Sequence, residues 1–172
     1  MAHHHKSHHI AQGEFATARG LEASISTILG SCVATCLYDE TAQIGGMNHF
    51  LLPDGAGAGS LNSARFGVNA MELLINALIK EGASRNRLKA KVFGGGRMIA
   101  GLSDVGAKNA SFVLDFLRRE AIECTGQSLG GTQARRVEFW PGSGRARQRL
   151  LGETQVVETP PKPPAANGVE LF

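Results

Sequence analysis

The sequence predicts a single domain of the α+β class. The chain has 172 residues and is 42% hydrophobic, which is enough for one core of ordinary size. Several short segments alternate apolar with polar residues, as strands do, and two longer segments repeat apolar residues at helical spacing. We expect the domain to occupy residues 10–151, between a histidine-rich leader or tag remnant at residues 1–9 and a proline-rich, flexible C-terminal tail at residues 152–172.

Strands dominate the predicted first part of the domain. Ile25 and Ile28 break strict alternation in the second strand, which predicts a bend there. The third strand is apolar enough to form a buried helix instead, and that alternative would place Cys32 at a helix N-terminus. The polar residues 39–42 predict a hairpin between the last two strands. The predicted strands are residues 10–16, 23–29, 32–38 and 44–52.

Two helices are predicted in the rest of the domain. The first covers residues 63–80 and the second runs from an N-cap at Asp104 to about Ala121. A strand at residues 88–92 leads into three glycines at 94–96, which predict either a close approach of the backbone or a tight turn. Residues 53–60 predict a loop that serves as a lid, a receptor-contacting rim or a simple connector. Residues 136–140 and 145–151 predict a terminal hairpin.

Charge and composition exclude several functions. The formal charge of +3, from 18 basic and 15 acidic residues, is too small to indicate nucleic-acid binding. No apolar run reaches the roughly 20 residues of a membrane helix, so we expect a cytoplasmic protein that does not insert into a membrane. Phosphate-binding glycine motifs and metal-ligand spacings are absent, so we expect no cofactor and no metal. Five late arginines form either a patch for an acidic protein partner or a solvated face: Arg135, Arg136, Arg145, Arg147 and Arg149.

Cys32 is the candidate nucleophile because a small, flexible Gly30-Ser31 turn leads directly to it. A thiol attacks as the thiolate, so an electropositive setting or a base is expected beside it. His49 is the single histidine outside residues 1–9. If the hairpin loop is centred between Glu40 and Thr41, His49 lies directly opposite Cys32 on the same face of the sheet. The sequence therefore predicts a cysteine and histidine pair.

The other cysteines suggest structural roles. Four strand residues separate Cys32 from Cys36 by about 13 Å, which is too far for a disulfide or for a shared zinc ion. We therefore assign Cys36 to the core and Cys124 to an inert position. Three cysteines without framework spacing indicate free thiols in a reducing compartment.

These residues also carry a resemblance that spans about residues 10–150. Residues 29–39 (LGSCVATCLYD) and 44–53 (IGGMNHFLLP) resemble the CheD family of chemoreceptor glutamine deamidases. Three further blocks resemble the family in the same order along the chain: residues 92–96 (VFGGG), 105–109 (VGAKN) and 129–137 (LGGTQARRV).

The resemblance implies a site, a fold and a reaction. It implies that Cys32 is the nucleophile, that His49 is its base and that Ser26 fills a third position usually held by threonine, with the neighbouring Thr27 as an alternative. It implies a cysteine-hydrolase-like fold in which mixed or antiparallel β-sheets pack as layers with flanking helices. The implied reaction converts glutamine side chains to glutamate in the cytoplasmic helical region of methyl-accepting chemoreceptors, during chemotaxis adaptation. Two alternatives stay open: a binding regulator of a CheC-type response-regulator phosphatase, and a different thiol enzyme such as a peptidase or transglutaminase.

Overall fold

The structure, a computed structural model, describes residues 6–53, 59–98, 104–152 and 169–172. Most of the predicted loop at residues 53–60 and the proline-rich stretch lie outside these ranges. Within them, the chain forms two α-helices and ten β-strands. The elements are β1 (Ser7–His9), β2 (Phe15–Arg19), β3 (Ser24–Leu29), β4 (Val33–Asp39), β5 (Ile44–Phe50), α1 (Gly59–Lys80), β6 (Lys89–Gly94), α2 (Val105–Arg119), β7 (Glu123–Leu129), β8 (Arg135–Trp140), β9 (Arg145–Leu150) and β10 (Val169–Leu171).

The strands form two five-stranded sheets. Sheet A has the order β1-β3-β8-β9-β10, and sheet B has the order β2-β5-β4-β6-β7. Each sheet is mainly antiparallel and includes one parallel pair, β1 with β3 in sheet A and β6 with β7 in sheet B. This arrangement confirms the predicted α+β class with layered mixed sheets.

Strand β4 separates the two parts of the core. All of its residues are buried, because one face of sheet B packs on sheet A and the other on the helices. Ala34 and Cys36 point toward sheet A, whereas Val33 and Leu37 point toward α1 and α2. This burial on both faces explains why the sequence of β4 also suits a buried helix, an alternative that the structure excludes.

Both helices form where their apolar spacing places them. The side chain of Asp104 accepts a hydrogen bond from the Ala107 N–H at 2.9 Å, which confirms the predicted N-cap of α2. The stripe on α1 packs on sheet B through Met71, Leu74, Ile75 and Leu78. Neither of the helices in the described ranges is both long and apolar enough to cross a bilayer. Strand β7 was not predicted, because its residues alternate only weakly in hydrophobicity.

The folded unit extends beyond residues 10–151 at both ends. At the N-terminal end, residues 7–9 form β1, which pairs with Ser24–Ser26 of β3. At the C-terminal end, β10 pairs with β9, and the ring of Phe172 lies 5.2 Å from that of Phe93. The sequence pattern did not predict β1 or β10, because each strand is short. Both are stabilised by pairing with the edge of a sheet that other parts of the chain form.

Between β1 and β4 the chain crosses from one sheet to the other three times. Residues 10–16 were predicted as one strand, but this prediction is wrong: Ile10 still hydrogen-bonds to β3 of sheet A, and Phe15 already lies in β2 of sheet B. A turn at residues 11–14 makes the first crossing, with Gly13 at a φ of +87°. The second crossing leads back from β2 to β3, and the turn from Gly30 to Cys32 makes the third, from β3 to β4. The first and third crossings lie together, because the side chains of Gln12 and Cys32 are in contact.

Candidate active site

Cys32 immediately precedes β4 and His49 lies on the neighbouring strand β5, but the predicted register is wrong by two residues. His49 pairs with Ala34 instead of Cys32. The hairpin loop contains four residues, 40–43, and Gln43 adopts a φ of +54°, so the centre of the loop falls one residue later than predicted. A shift of two residues preserves the face on which each side chain lies.

Cys32 and His49 therefore share the face of sheet B that packs against sheet A. Cys32 precedes Ala34 by two residues and belongs to the same apolar cluster. This makes Cys32 the diagonal neighbour of His49, a relation in which Cα atoms lie about 7–8 Å apart and long side chains still reach each other. Cys32 is 8% exposed and His49 is 6% exposed, so both groups lie at the margin of the core and retain a small opening to solvent.

Thr27 is the partner of His49. Its hydroxyl oxygen lies 2.6 Å from Nδ1 of His49 and 2.7 Å from the carbonyl oxygen of Ile10. A hydroxyl has one proton, and the Ile10 carbonyl can only accept it, so Thr27 accepts a hydrogen bond from Nδ1–H of His49. This assigns the tautomer of His49 and leaves Nε2 as the unprotonated nitrogen.

Ser26, which the resemblance implies for the third position, lies on the face of β3 that points away from His49. Adjacent residues of a strand point to opposite faces, and Thr27 faces sheet B. Ser26 therefore points to the other side of sheet A, where its Oγ lies 3.5 Å from Nδ1 of His9. The alternative assignment to Thr27 agrees with the contacts of His49.

The three glycines at 94–96 hold the backbone of the Cys32 turn. The N–H of Gly95 donates to the carbonyl of Cys32 at 2.8 Å, and the N–H of Gly96 donates to the carbonyl of Gly30 at 2.9 Å. A Cβ on Gly94 would lie 2.2 Å from the Cys32 carbonyl oxygen, and Gly94 has a φ of +109°. The close approach predicted for these glycines is therefore made to the Cys32 backbone.

The side chain of Asn109 on α2 connects the turn at Ser31 with Leu52, which follows β5. The sequence places Asn109 in a block that resembles the family but does not indicate this role. Its Nδ2 donates to the carbonyl of Ser31 at 2.8 Å, and its Oδ1 accepts from the N–H of Leu52 at 3.0 Å. Asn109 is fully buried. The signal in the sequence is a polar residue on the apolar face of an amphipathic helix, which indicates a buried polar group with specific partners.

We expect Asn109→Ala to lower both stability and turnover. The substitution leaves the Ser31 carbonyl and the Leu52 N–H without their partner, at about 1–3 kcal/mol for each buried group. The Cys32 turn loses its connection to α2, so turnover should fall about tenfold. Urea unfolding and kcat measure the two effects. Asn109→Asp is the matched variant, because it keeps the acceptor for the Leu52 N–H but has no donor for the Ser31 carbonyl. If both variants were as stable as the wild type, this account would be wrong.

Burial keeps the two reactive groups neutral. Burial raises the pKa of the Cys32 thiol, and the thiol's own backbone N–H offsets part of that rise. Burial also lowers the pKa of His49, and the charge of His9 lowers it further. The resting pair is thus a neutral thiol near a neutral imidazole. The electropositive setting expected from the sequence is not what the described residues provide.

The structure also shows where the other cysteines and the late arginines lie. Cys36 is fully buried in the core between the sheets, and Cys124 is half-buried on β7; all three cysteines are free thiols. The arginines separate into two groups. Arg135 points inward and binds the carbonyls of Ser128 and Gly130, whereas Arg136, Arg145, Arg147 and Arg149 are exposed.

Comparisons with known proteins agree with the resemblance. The profile of the family described as "CheD chemotactic sensory transduction" matches residues 51–150. A protein of Caulobacter sp. (strain K31) is 52% identical, over 95% of this chain and 92% of its own length, and bears the name "Probable chemoreceptor glutamine deamidase CheD". A protein of Agrobacterium fabrum with the same name is 51% identical, over 95% of both chains.

A comparison of folds finds a solved structure as well. The Neisseria meningitidis protein NMB0706, of family DUF152, is 8% identical, with a TM-score of 0.44 over 73% of this chain and 62% of that one. The sequence relatives cover nearly the whole chain at about half identity, and the family profile covers more than half of it. This chain belongs to the CheD family.

Proposed function

We propose that this protein is a cytoplasmic deamidase that hydrolyses glutamine side chains of chemoreceptors to glutamate and releases ammonia during chemotaxis adaptation. The names of its relatives supply the substrate class. The observation that carries the chemistry is the contact between Thr27 and His49, because it orients an unprotonated Nε2 on the face that also holds Cys32. The receptor segment that binds is its cytoplasmic helical region.

The reaction proceeds through a thioester. Nε2 of His49 takes the thiol proton as the sulfur of Cys32 attacks the Cδ carbonyl of the glutamine, and a C–S bond forms. We assign the stabilisation of the oxyanion to backbone N–H groups near Ser31 and Cys32. His49 then protonates the amide nitrogen, the C–N bond breaks and ammonia leaves. Water, activated by His49, cleaves the C–S bond to release glutamate and return the proton to the sulfur.

A general-base mechanism with a neutral resting pair predicts the pH dependence. His49 must be unprotonated in the free enzyme, and its pKa is held below the ordinary 6.5. The acid limb of kcat/KM should therefore have its midpoint below 6.5, with activity lost as pH falls through it. The pKa of the thiol is raised above 9.0, so the plateau should extend beyond that pH. An acid midpoint above 6.5 would contradict the lowered pKa of His49, whereas an alkaline limb below pH 9.0 would indicate a resting pair of thiolate and imidazolium.

Thr27 and Ser26 form a matched pair for a test of the third position. Thr27→Val keeps the shape of the side chain but removes the acceptor for Nδ1–H of His49, so kcat should fall by at least about tenfold. Ser26→Ala changes the opposite face of the strand, and kcat should stay within about twofold of wild type. Steady-state rates of ammonia release compare the two variants. The reverse ranking would return the third position to Ser26.

Mass spectrometry of a receptor fragment tests the function as a whole. The cytoplasmic helical fragment of a chemoreceptor, incubated with the protein, should gain about 1 Da for each glutamine converted to glutamate. Cleavage of the fragment would instead indicate a peptidase, and cross-linked products a transglutaminase. An unchanged mass would leave the role of a binding regulator of a CheC-type phosphatase as the surviving alternative.

A further inference from the structure

The carboxamide of Gln12 contacts the sulfur of Cys32. Sγ of Cys32 donates to Oε1 of Gln12 at 3.6 Å. Gln12 is exposed, whereas the thiol is nearly buried, so the amide lies on the side from which solvent reaches the sulfur. The mechanism described above does not use this contact, and no motif in the sequence indicated it.

The turn that carries Gln12 is attached to the strand that carries the base. The N–H of Gly13 donates to the carbonyl of His49 at 2.7 Å, and the N–H of His49 donates to the carbonyl of Glu14 at 3.0 Å. The turn also closes on itself, because the side chain of Glu14 accepts from the N–H of Ala11 at 2.7 Å. The backbone of Gln12 therefore keeps a fixed position relative to His49, and only its side chain can rotate.

A carboxamide has one accepting end and one donating end, related by a half-turn about its terminal bond. The accepting end suits a protonated thiol, as in the resting contact. A thiolate or an oxyanion needs a donor in the same place. The titratable groups on the neighbouring elements include His9, Glu14, His49, Arg97 and Lys108, but the pKa shift of Cys32 comes from burial and from its own backbone N–H. A neutral donor next to the sulfur would therefore have a large effect on charge that develops there.

We propose that Gln12 is a further catalytic residue, whose side-chain amide rotates when the thiol loses its proton and then donates Nε2–H to the sulfur and to the oxyanion of the tetrahedral intermediate. This inference rests on the proposed function, since it assigns Gln12 a role in the same reaction. An alternative is that Gln12 imitates the substrate amide and blocks the site.

Two substitutions separate these roles. Gln12→Met keeps the length of the side chain but removes its hydrogen bonds, and Gln12→Glu keeps an acceptor but adds a negative charge. Both should lower kcat on the receptor fragment by about 10²-fold with KM little changed, as expected for the loss of one oxyanion donor. Gln127→Met, on the exposed side of β7, is the matched control and should behave as wild type. Unchanged or faster turnover in both Gln12 variants would overturn the proposal.

A second measurement needs no receptor and so remains valid if the proposed function fails. The pH midpoint of Cys32 alkylation by iodoacetamide, followed by peptide mass spectrometry, should rise in Gln12→Met and rise further in Gln12→Glu. Midpoints equal to wild type in both variants would overturn the proposal. So would a gain of about 1 Da at Gln12 in the tryptic peptide of residues 7–19 from incubated wild-type protein, because Gln12 would then be a substrate. A wild type that alkylates as expected but leaves the receptor unchanged would count against the function alone.

Discussion

Cys32→Ala should abolish deamidation while the protein remains folded. The alanine cannot form the thioester, so kcat should fall by about 10⁴-fold or more, to the background rate of the amide. The fold should survive because the change removes a single sulfur atom from a residue that is 8% exposed, at a cost of about 1 kcal/mol. The rate of ammonia release and the mass of the receptor fragment measure the loss, and thermal unfolding measures stability.

Cys124→Ala is the matched control for this variant. Cys124 is a free thiol, half-buried on β7, and its sulfur donates to the carbonyl of Gly126 at 3.3 Å. Its removal should leave turnover unchanged. If Cys32→Ala retained deamidation, the nucleophile would be misassigned, whatever the effect of Cys124→Ala.

His49→Ala should produce the second largest loss. Without the imidazole there is no group to take the thiol proton or to protonate the departing ammonia, so kcat should fall about 10²- to 10⁴-fold. The alanine also leaves a small space beside Thr27, so added imidazole should restore part of the activity. Steady-state rates with and without imidazole provide the measurement. Activity within threefold of wild type would require another base.

His9 provides the control for His49, because it is the other described histidine that affects the site. Its charge lowers the pKa of His49, so His9→Ala should move the acid limb of kcat/KM to higher pH. The maximal rate should change little, since the described contact of the His9 ring is to Ser26 on the far side of β3. A loss of rate as large as that of His49→Ala would make His9 part of the catalytic group.

The cysteine and histidine pair was predictable from the sequence even though the register was not. Loop length within the hairpin decides register, and four turn-tolerant residues allow more than one centre. An error of two residues in the register leaves each side chain on the same face of the sheet, so Cys32 and His49 still share a face. The amphipathic pattern of α2 and its Asp104 cap were also predictable, because both depend on spacing within a few turns of chain.

The choice between Ser26 and Thr27 required the tertiary structure. Both residues carry a hydroxyl, and which one faces His49 depends on which face of β3 packs against sheet B. The apolar residues of β3 do not alternate regularly, so the sequence does not show which face of the strand is buried. Ile25 and Ile28 lie on opposite faces: Ile25 is buried, and Ile28 is 47% exposed. Long-range packing fixes the orientation of the strand, and local sequence does not contain it.

The sequence by itself determined the family, the α+β class and the two helices, and it singled out Cys32 and His49 as candidates, because these depend on motif and on periodicity over neighbouring residues. The tertiary structure decided which groups meet: Thr27 with His49, Asn109 with Ser31 and Gln12 with Cys32. Each of these contacts joins segments that are distant in the chain or cross from one sheet to the other. Their positions are set by how two sheets and two helices pack around a shared core, and that packing is a property of the whole fold.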